Sequence, residues 1–371
     1  MAVTYQPMPL GDVVRFGNGK SIKPGGEGRY PVYGSNGIIG GSDEYRHENG
    51  IIIGRVGAYC GSVVYCPDRF WASDNTLVSF PASDAFDIKF LFYLLTDAKL
   101  SRHAGGAAQP LVTQAVLKQV QVSVPPLPVQ RRIAGILSAY DDLIENNQRR
   151  INILEEMARS LYREWFVHFR FPGHDKVKMV PSPLGPLPQG WEIKRLDQIA
   201  ENFDRLRKPL SKMERAEMQG EYPYYGAAKV FDYVNNFIFD GEYLLMAEDG
   251  SVITAERTPV LQLVNEKFWP NNHTHILRGK APVSTHFLYL GLSLVDISPY
   301  ITGAAQPKIT QENMNRIAFP CCRPDLHQAF DHVVTPMIHQ IQALNRQIKN
   351  LRRTRDLLLP RLLSGQIPLS C

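Results

Sequence analysis

Asn18-Gly19-Lys20-Ser21 has the ending of a loop that cradles phosphate with backbone N–H groups and a lysine. The glycine such a loop needs five residues before Gly19 is Val14, so the motif is incomplete. His273 and His275, with Cys321 and Cys322, offer zinc donors, but the spacing fits no common site and suits ordinary strand and linker residues better. Glu248-Asp249 and Asp74 offer carboxylates for acid–base work. They fall at equivalent places of two repeated halves (below) yet differ, unlike a site duplicated for its chemistry. The chain holds no His-Glu-x-x-His pair, no Gly-x-Ser-x-Gly turn, no glycine-rich dinucleotide fingerprint and no Asn-Pro-Pro-Tyr of an amino-methyltransferase. Catalysis therefore finds little support, and the residues must be read through the elements that carry them.

Those elements repeat. GGAAQPLVT, residues 105–113, returns as TGAAQPKIT, residues 302–310. Tyr30-Pro31-Val32-Tyr33-Gly34 returns as Tyr222-Pro223-Tyr224-Tyr225-Gly226, and Phe70-Trp71 with Thr76 as Phe268-Trp269 with Thr274. FLFYLL at 90–95 resembles FLYLGL at 287–292. The matches keep their order at offsets of 192 to 198, as a duplicated domain with insertions near its start would. IIIGRVGAYCGSVVYC (51–66) and EYLLMAEDGSVIT (242–254) read as strands broken by glycine, and KFLFYLL (89–95) and HFLYLGLSLV (286–295) as short buried helices. Each half is expected to be an α+β domain.

After each half, apolar residues step by alternating 4 and 3. The first series is Ile133, Leu137, Tyr140, Ile144, then Asn147, then Ile151, Leu154, Ala158, Leu161, Trp165. The second is Phe330, Val334, Met337, Ile341, Leu344, Ile348, Leu351, then Arg355, then Leu358, Leu362. That spacing is the seam of a coiled coil; the alternative is two amphipathic helices on separate cores. The first helix follows Pro125-Pro126-Leu127-Pro128 and ends near Phe171-Pro172-Gly173; the second runs from about Asp325 to Leu363-Ser364-Gly365. Pro336 is expected to kink or restart it. Chain order makes a paired seam antiparallel with one globular domain at each end, a pseudo-twofold dumbbell. Asn147 either fixes register or is a tolerated exposed defect.

A length of 371 residues suits two or three domains, and 44% hydrophobic with 21% charged residues is ordinary for a globular protein. No apolar run approaches the ~18 residues of a membrane span. MAVTYQPMPLGDVV lacks a basic stretch before an apolar core, so no signal peptide is expected. Five cysteines without Cys-x-x-Cys spacing suggest reduced, cytoplasmic thiols. The net charge of +5 permits nucleic-acid binding without arguing for it.

VPPLPVQRRIAGILSAYDDLIENNQRRINILEEMARSLYREWFVHF (124–169), LGPLPQGWEIKRLDQIAE (184–201) and LRRTRDLLLPRLLSGQI (351–367) resemble the specificity subunit of type I restriction-modification enzymes. The resemblance covers essentially the whole chain. It implies target-recognition domains at 1–126 and 173–324, and spacer helices at 127–172 and 325–371 that dock partners. It implies a non-catalytic chain that reads a bipartite, asymmetric site on double-stranded DNA. Two methyltransferase subunits would bind S-adenosylmethionine and methylate adenine, and restriction/translocase subunits would use ATP and Mg to cut unmodified DNA. No cofactor or metal is expected on this chain.

Segments between the shared positions differ, as GNGKSIKPGGEGRY (17–30) does from DRLRKPLSKMERAEMQGEY (204–222), which suits two copies of one frame reading two ligands. Candidate readers in the first half are Lys20, Lys23, Arg29, Tyr33, Ser35, Asn36, Arg55, Tyr59 and Asn75. In the second they are Arg205, Arg207, Lys208, Tyr224, Lys229, Glu248, Asp249, Asn272 and His273. Arg suits guanine, Asn or Gln adenine, and Glu or Asp cytosine. A solvated surface role is the alternative for each, and a core role for Tyr33 and Tyr224. The retained Gln109 and Gln306, with Lys308, suit positioning common to both halves, or else the repeat is a structural turn. Residues 1–126 carry 11 basic and 10 acidic side chains, and 181–326 carry 15 and 17. The helical stretches hold the excess, 9 against 7 in 127–180 and 6 against 2 in 327–371. Since phosphate neutralisation supplies much of DNA affinity, partners are expected to provide most of the backbone clamp. The rival classes are a coiled-coil adaptor bridging two proteins and a fused restriction enzyme.

Overall fold

In the computed structural model, which describes residues 4–23, 26–106, 110–182, 185–303 and 306–369, the chain divides into two compact units. One is Met1–Gln148 with Arg346–Cys371; the other is Arg149–Asn345. Each unit therefore takes half of both long helices, rather than ending where the helices begin.

The first unit contains β1 (Gln6–Pro9), β2 (Val14–Asn18), β3 (Tyr30–Gly34), β4 (Gly37–Ser42), β5 (His47–Gly54), β6 (Val63–Ala72), β7 (Thr76–Pro81) and β8 (Gln121–Val124). Six of them form one sheet in the order β2-β7-β5-β6-β3-β4, in which only β3 and β6 pair in parallel, while β1 pairs β8. Ile51, Ile52 and Ile53 in β5 are all buried because both sheet faces are covered. Ile51 and Ile53 join the core beneath helix Ile88–Asp97; Ile52 joins Val78 and Phe70 on the other face.

The second unit contains β9 (Glu192–Arg195), β10 (Ala200–Asn202), β11 (Gln219–Tyr225), β12 (Val230–Val234), β13 (Phe239–Ala247), β14 (Leu261–Pro270), β15 (Thr274–Gly279) and β16 (Ala318–Cys321). Its sheet order is β10-β15-β13-β14-β11-β12, again with one parallel pair, β11 with β14, and β9 pairs β16. Each of these eight strands has its counterpart eight numbers earlier; a short antiparallel pair, Met179–Val180 with Leu187–Pro188, has none among the described residues. The short helices recur too: Asp87 caps Ile88–Asp97 by accepting the Phe90 N–H at 2.9 Å, and Ser284 caps Thr285–Leu292 by accepting that of Phe287 at 3.0 Å.

The long helices are Leu127–Tyr162 and Pro324–Leu363. The first ends earlier than expected, in a π turn over Arg163–Val167, and the chain then turns through Phe169 and Gly173 at φ +58° and +82°. Pro336 does not restart the second. It is exposed, so the His332 carbonyl it leaves without a donor faces water. Gly365, at φ +74°, closes the C-terminus as expected.

Within the first unit, Asp141 takes an ion pair from Arg355, Asn147 meets Gln347, and Ile133 and Leu137 share a core with Leu362 and Leu363. Within the second, Tyr162, Trp165 and Phe166 pack their rings on Phe330. In the first unit rising numbers on one helix meet falling numbers on the other, so the pairing there is antiparallel. Ile151, Ile341, Leu344 and Ile348 are buried, and Tyr140, Ile144, Leu154, Leu161, Leu351 and Leu358 half-buried.

Asn147 is 5% exposed, so it is not an exposed defect, and its Nδ2 donates to Gln347 Oε1 at 3.3 Å. A buried amide with one polar partner costs stability and favours one register. Asn147→Leu is expected to raise unfolding stability by about 1 kcal/mol in urea titrations. A loss of that size would show that the amide stabilises the seam.

Candidate nucleic-acid interface

The repeated nine-residue string is a structural anchor at one end of each sheet. In the first unit Gly105 and Leu111 bridge each other, and the Pro110 carbonyl accepts the Gly57 N–H at 3.1 Å. Thr113 then caps helix Gln114–Lys118. In the second, Thr302 and Lys308 bridge, the Pro307 carbonyl accepts the Gly250 N–H at 3.2 Å, and Thr310 caps Gln311–Asn315. Gly106 and Gly303 have φ of +91° and +86°, and a Cβ on Gly303 would lie 2.4 Å from the Gln306 carbonyl oxygen. The flanks of the string are thus tied by the same bonds in both halves. Gln306 is exposed on it; Gln109 lies outside the described residues.

This anchor brings three positions together in each unit. The Val112 N–H reaches the Arg55 carbonyl at 3.0 Å and the Arg55 N–H reaches the Asn75 carbonyl at 2.9 Å. The matching bonds in the second unit run from Ile309 N–H to the Glu248 carbonyl and from Glu248 N–H to the His273 carbonyl, both at 2.9 Å. The same backbone frame therefore presents Arg55, Asn75 and Leu111 in one unit and Glu248, His273 and Lys308 in the other.

In the first unit the Ser35 hydroxyl donates to the Asn75 carbonyl at 2.6 Å and accepts from the Val56 N–H at 3.3 Å, tying the β3–β4 turn to this end. Lys20 joins it through its N–H to the Ala72 carbonyl, and its own carbonyl accepts the Trp71 indole N–H at 2.8 Å. Asn36, Tyr59 and Asn75 are exposed, and Arg55 is half-buried. Among the described residues no helix follows Lys20 before β3, which ends the phosphate-loop reading. Arg29 precedes β3 and so sits at the opposite end of that strand, stacked on Tyr30 at 5.4 Å; it is not grouped with the others. Lys23 is exposed in the segment between.

In the second unit a buried polar network fills the corresponding place. The Arg207 guanidinium pairs with Glu248 and Asp204 and donates to the carbonyls of Asn272 at 3.1 Å and Thr274 at 2.9 Å. Lys308 Nζ lies 3.1 Å from Glu248, and His275 Nδ1 2.6 Å from Asp204. His273 meets Asp249 at 2.7 Å. Burial pushes the Asp204 carboxyl up, but the His275 hydrogen bond and charge, the Ile276 N–H and Arg207 outweigh it and hold the acid below its usual range. Glu248 is likewise raised by burial and brought below its usual range by Arg207, His275 and Lys308. Arg207 and Glu248 are thus tied to each other rather than free.

For Tyr33 and Tyr224 the structure takes the core alternative over base reading. Tyr224 is 2% exposed and its hydroxyl accepts the Leu210 N–H at 3.0 Å; Tyr33 is buried against Phe70. Their strand neighbours Val32 and Pro223 are buried as well, so both faces of β3 and β11 are covered at these positions. Arg205, Lys208 and Lys229 are exposed; Lys229 closes the β11–β12 turn with its carbonyl on the Gly226 N–H at 2.9 Å, and the Lys208 carbonyl accepts the Trp269 indole. The sequence did not single out Asp204, whose role depends on a partner 71 residues away. His275 belongs to this network and not with Cys321 and Cys322: among the described residues no group of three or more possible metal donors includes a cysteine.

The model of the type I restriction modification DNA specificity domain matches this chain twice, at residues 2–156 and 188–350. A type I restriction enzyme specificity subunit of Methanocaldococcus jannaschii is 27% identical over 299 residues, 75% of this chain and 69% of that one. A putative type I restriction enzyme specificity subunit of Haemophilus influenzae is 35% identical over 139 residues, 37% of this chain and 35% of its own. The crystal structure of a type I restriction-modification system S subunit from M. genitalium shares the fold, with a TM-score of 0.69 at 16% identity over 97% of this chain and 96% of that one. With two matched domains, one in each of two units built on the same sheet, the chain belongs to the type I restriction-modification DNA specificity family.

Proposed function

We propose that this chain is a non-catalytic specificity subunit whose two units each read one half of a bipartite, asymmetric double-stranded DNA site. The observation that carries the reading is the shared frame with opposite chemistry: Arg55, Asn75 and Leu111 stand where Glu248, His273 and Lys308 stand. A duplicated reader of one palindromic sequence would keep those side chains alike. Around them, Lys20, Lys23, Ser35, Asn36 and Tyr59 serve the first half-site. Arg205, Lys208, Lys229, Asp249 and Asn272 serve the second, with Arg207 placing Glu248. Gln109 and Gln306 position the backbone in both.

The long helices set the spacing and dock two methyltransferase subunits. Leu143 and Leu357 in the first unit, and Ile153 and Met157 in the second, are exposed apolar residues on those helices and suit such contacts. The methyltransferases carry S-adenosylmethionine and methylate adenine, and restriction/translocase subunits use ATP and Mg. Among the described residues no helix is long and apolar enough to cross a membrane, and the complex works on cytoplasmic DNA.

Methylome sequencing of a host with and without the chain tests the reading: an interrupted two-part motif should vanish with it. Asn75→Ala should relax bases in one half only and His273→Ala in the other, each by about 1–3 kcal/mol of discrimination. A motif that relaxes in both halves at once, or an unchanged methylome, would refute the division of labour.

A further inference from the structure

The second unit contains a second cluster of donors, away from the interface. Glu242 on β13, His286 on helix Thr285–Leu292 and His339 on helix Pro324–Leu363 each offer one donor atom, all within 4.8 Å of one another. The geometry points to a divalent transition-metal site, of the class zinc fills, that bolts sheet, short helix and long helix together. Its donor set of two imidazoles and one carboxylate suits zinc over magnesium or calcium, with water as the fourth ligand.

The surroundings are those of a metal-binding histidine. His286 is 4% exposed, and its Nε2 lies 2.8 Å from Glu242 Oε2. Its other nitrogen, Nδ1, lies 3.0 Å from the Thr335 hydroxyl, which orients the ring and leaves Nε2 toward the cluster. The His286 and His339 rings stand 5.8 Å apart with planes at 80°, so both can turn a nitrogen to one point. Donors about 2.0–2.2 Å from a tetrahedral zinc are roughly 3.3 Å from each other, so the Glu242–His286 pair need open only slightly. Asp331, held by the Ser284 hydroxyl at 2.6 Å, adds negative charge one turn before Thr335. His339 is exposed, which gives an ion a way in.

The duplication supplies an internal control. At the matching positions, 197 residues earlier, the first unit has Lys89 for His286, Asp142 for His339 and Ser138 for Thr335. These line a cavity with Tyr65 and Asp141 but include no imidazole. Among the described residues, the first unit therefore has no counterpart of this site.

Isothermal titration of the chelator-treated full chain with zinc chloride tests this, with cobalt(II) absorption reporting tetrahedral ligation. One zinc per chain is expected, with the melting temperature raised by about 5 °C at a hundredfold excess over Kd. His339→Ala, whose exposed side chain is not needed for folding, should weaken binding at least tenfold, and Thr335→Val by about tenfold. Lys89→Ala and Asp142→Ala should leave it unchanged. Zinc binding no stronger than that of magnesium, or equal in His339→Ala, would overturn the site.

Discussion

Arg207→Ala is expected to destabilise the second unit by about 3–5 kcal/mol and to erase recognition of its half-site. The guanidinium is the cation between Asp204 and Glu248 and also satisfies two backbone carbonyls. Without it two largely buried carboxylates face each other with only His275 and Lys308 to compensate. Both acids are held below their usual range, so their contribution to stability is present above the unfolded values of about 4 and is lost as pH falls through the lower folded ones. In the variant that acid-dependent component should shrink. Urea unfolding of wild type, Arg207→Ala, Glu248→Gln and the double variant reads the coupling directly. A single-variant cost below about 1 kcal/mol would mean that water, not Arg207, balances the acids.

Acidification from pH 7 to pH 4 is expected to cost the second unit about 3 kcal/mol through His327 alone. This imidazole is 1% exposed, stacked on Phe166 and edge-on to Phe287, and its Nε2 finds no hydrogen-bond partner among the described residues. Burial, with the nearby Lys194 charge, pushes its pKa down to about 4. The unfolded chain takes up the proton near pH 6.5 and the folded one cannot, so the contribution is complete above 6.5 and is lost between 6.5 and 4. Gln130 stands at the matching place in the first unit. It accepts the Asp87 N–H and donates to the Ala85 and Pro125 carbonyls without titrating. His327→Gln should therefore flatten the pH dependence in thermal melts. A variant curve with the wild-type slope would assign the acid sensitivity elsewhere.

Much of this protein was legible without coordinates because its signals are local or periodic. The alternating 4 and 3 spacing marked both long helices, and nearly every seam residue named is buried or half-buried. The ordered matches between halves announced one frame built twice, and the identical strand orders bear that out. What misled was also local. Pro336 reads as a kink or a restart, yet the helix runs through it without restarting, and exposure lets water take the carbonyl it strands. Tyr33 and Tyr224 stayed open between base reading and the core, because only the packing of the sheet shows that they are buried.

The amino-acid order by itself determined the duplication, the helices and their seam, and the membership that their motifs signal, because periodicity and repetition are properties of neighbours along the chain. Only the tertiary structure decided which side chains meet. Arg207 is bound to acids at 204 and 248, Asn147 to Gln347, and His286 to Glu242 with His339 alongside. Such contacts join residues brought together by sheet order and helix pairing, and burial then sets which charges are tied to a partner and which stay in water.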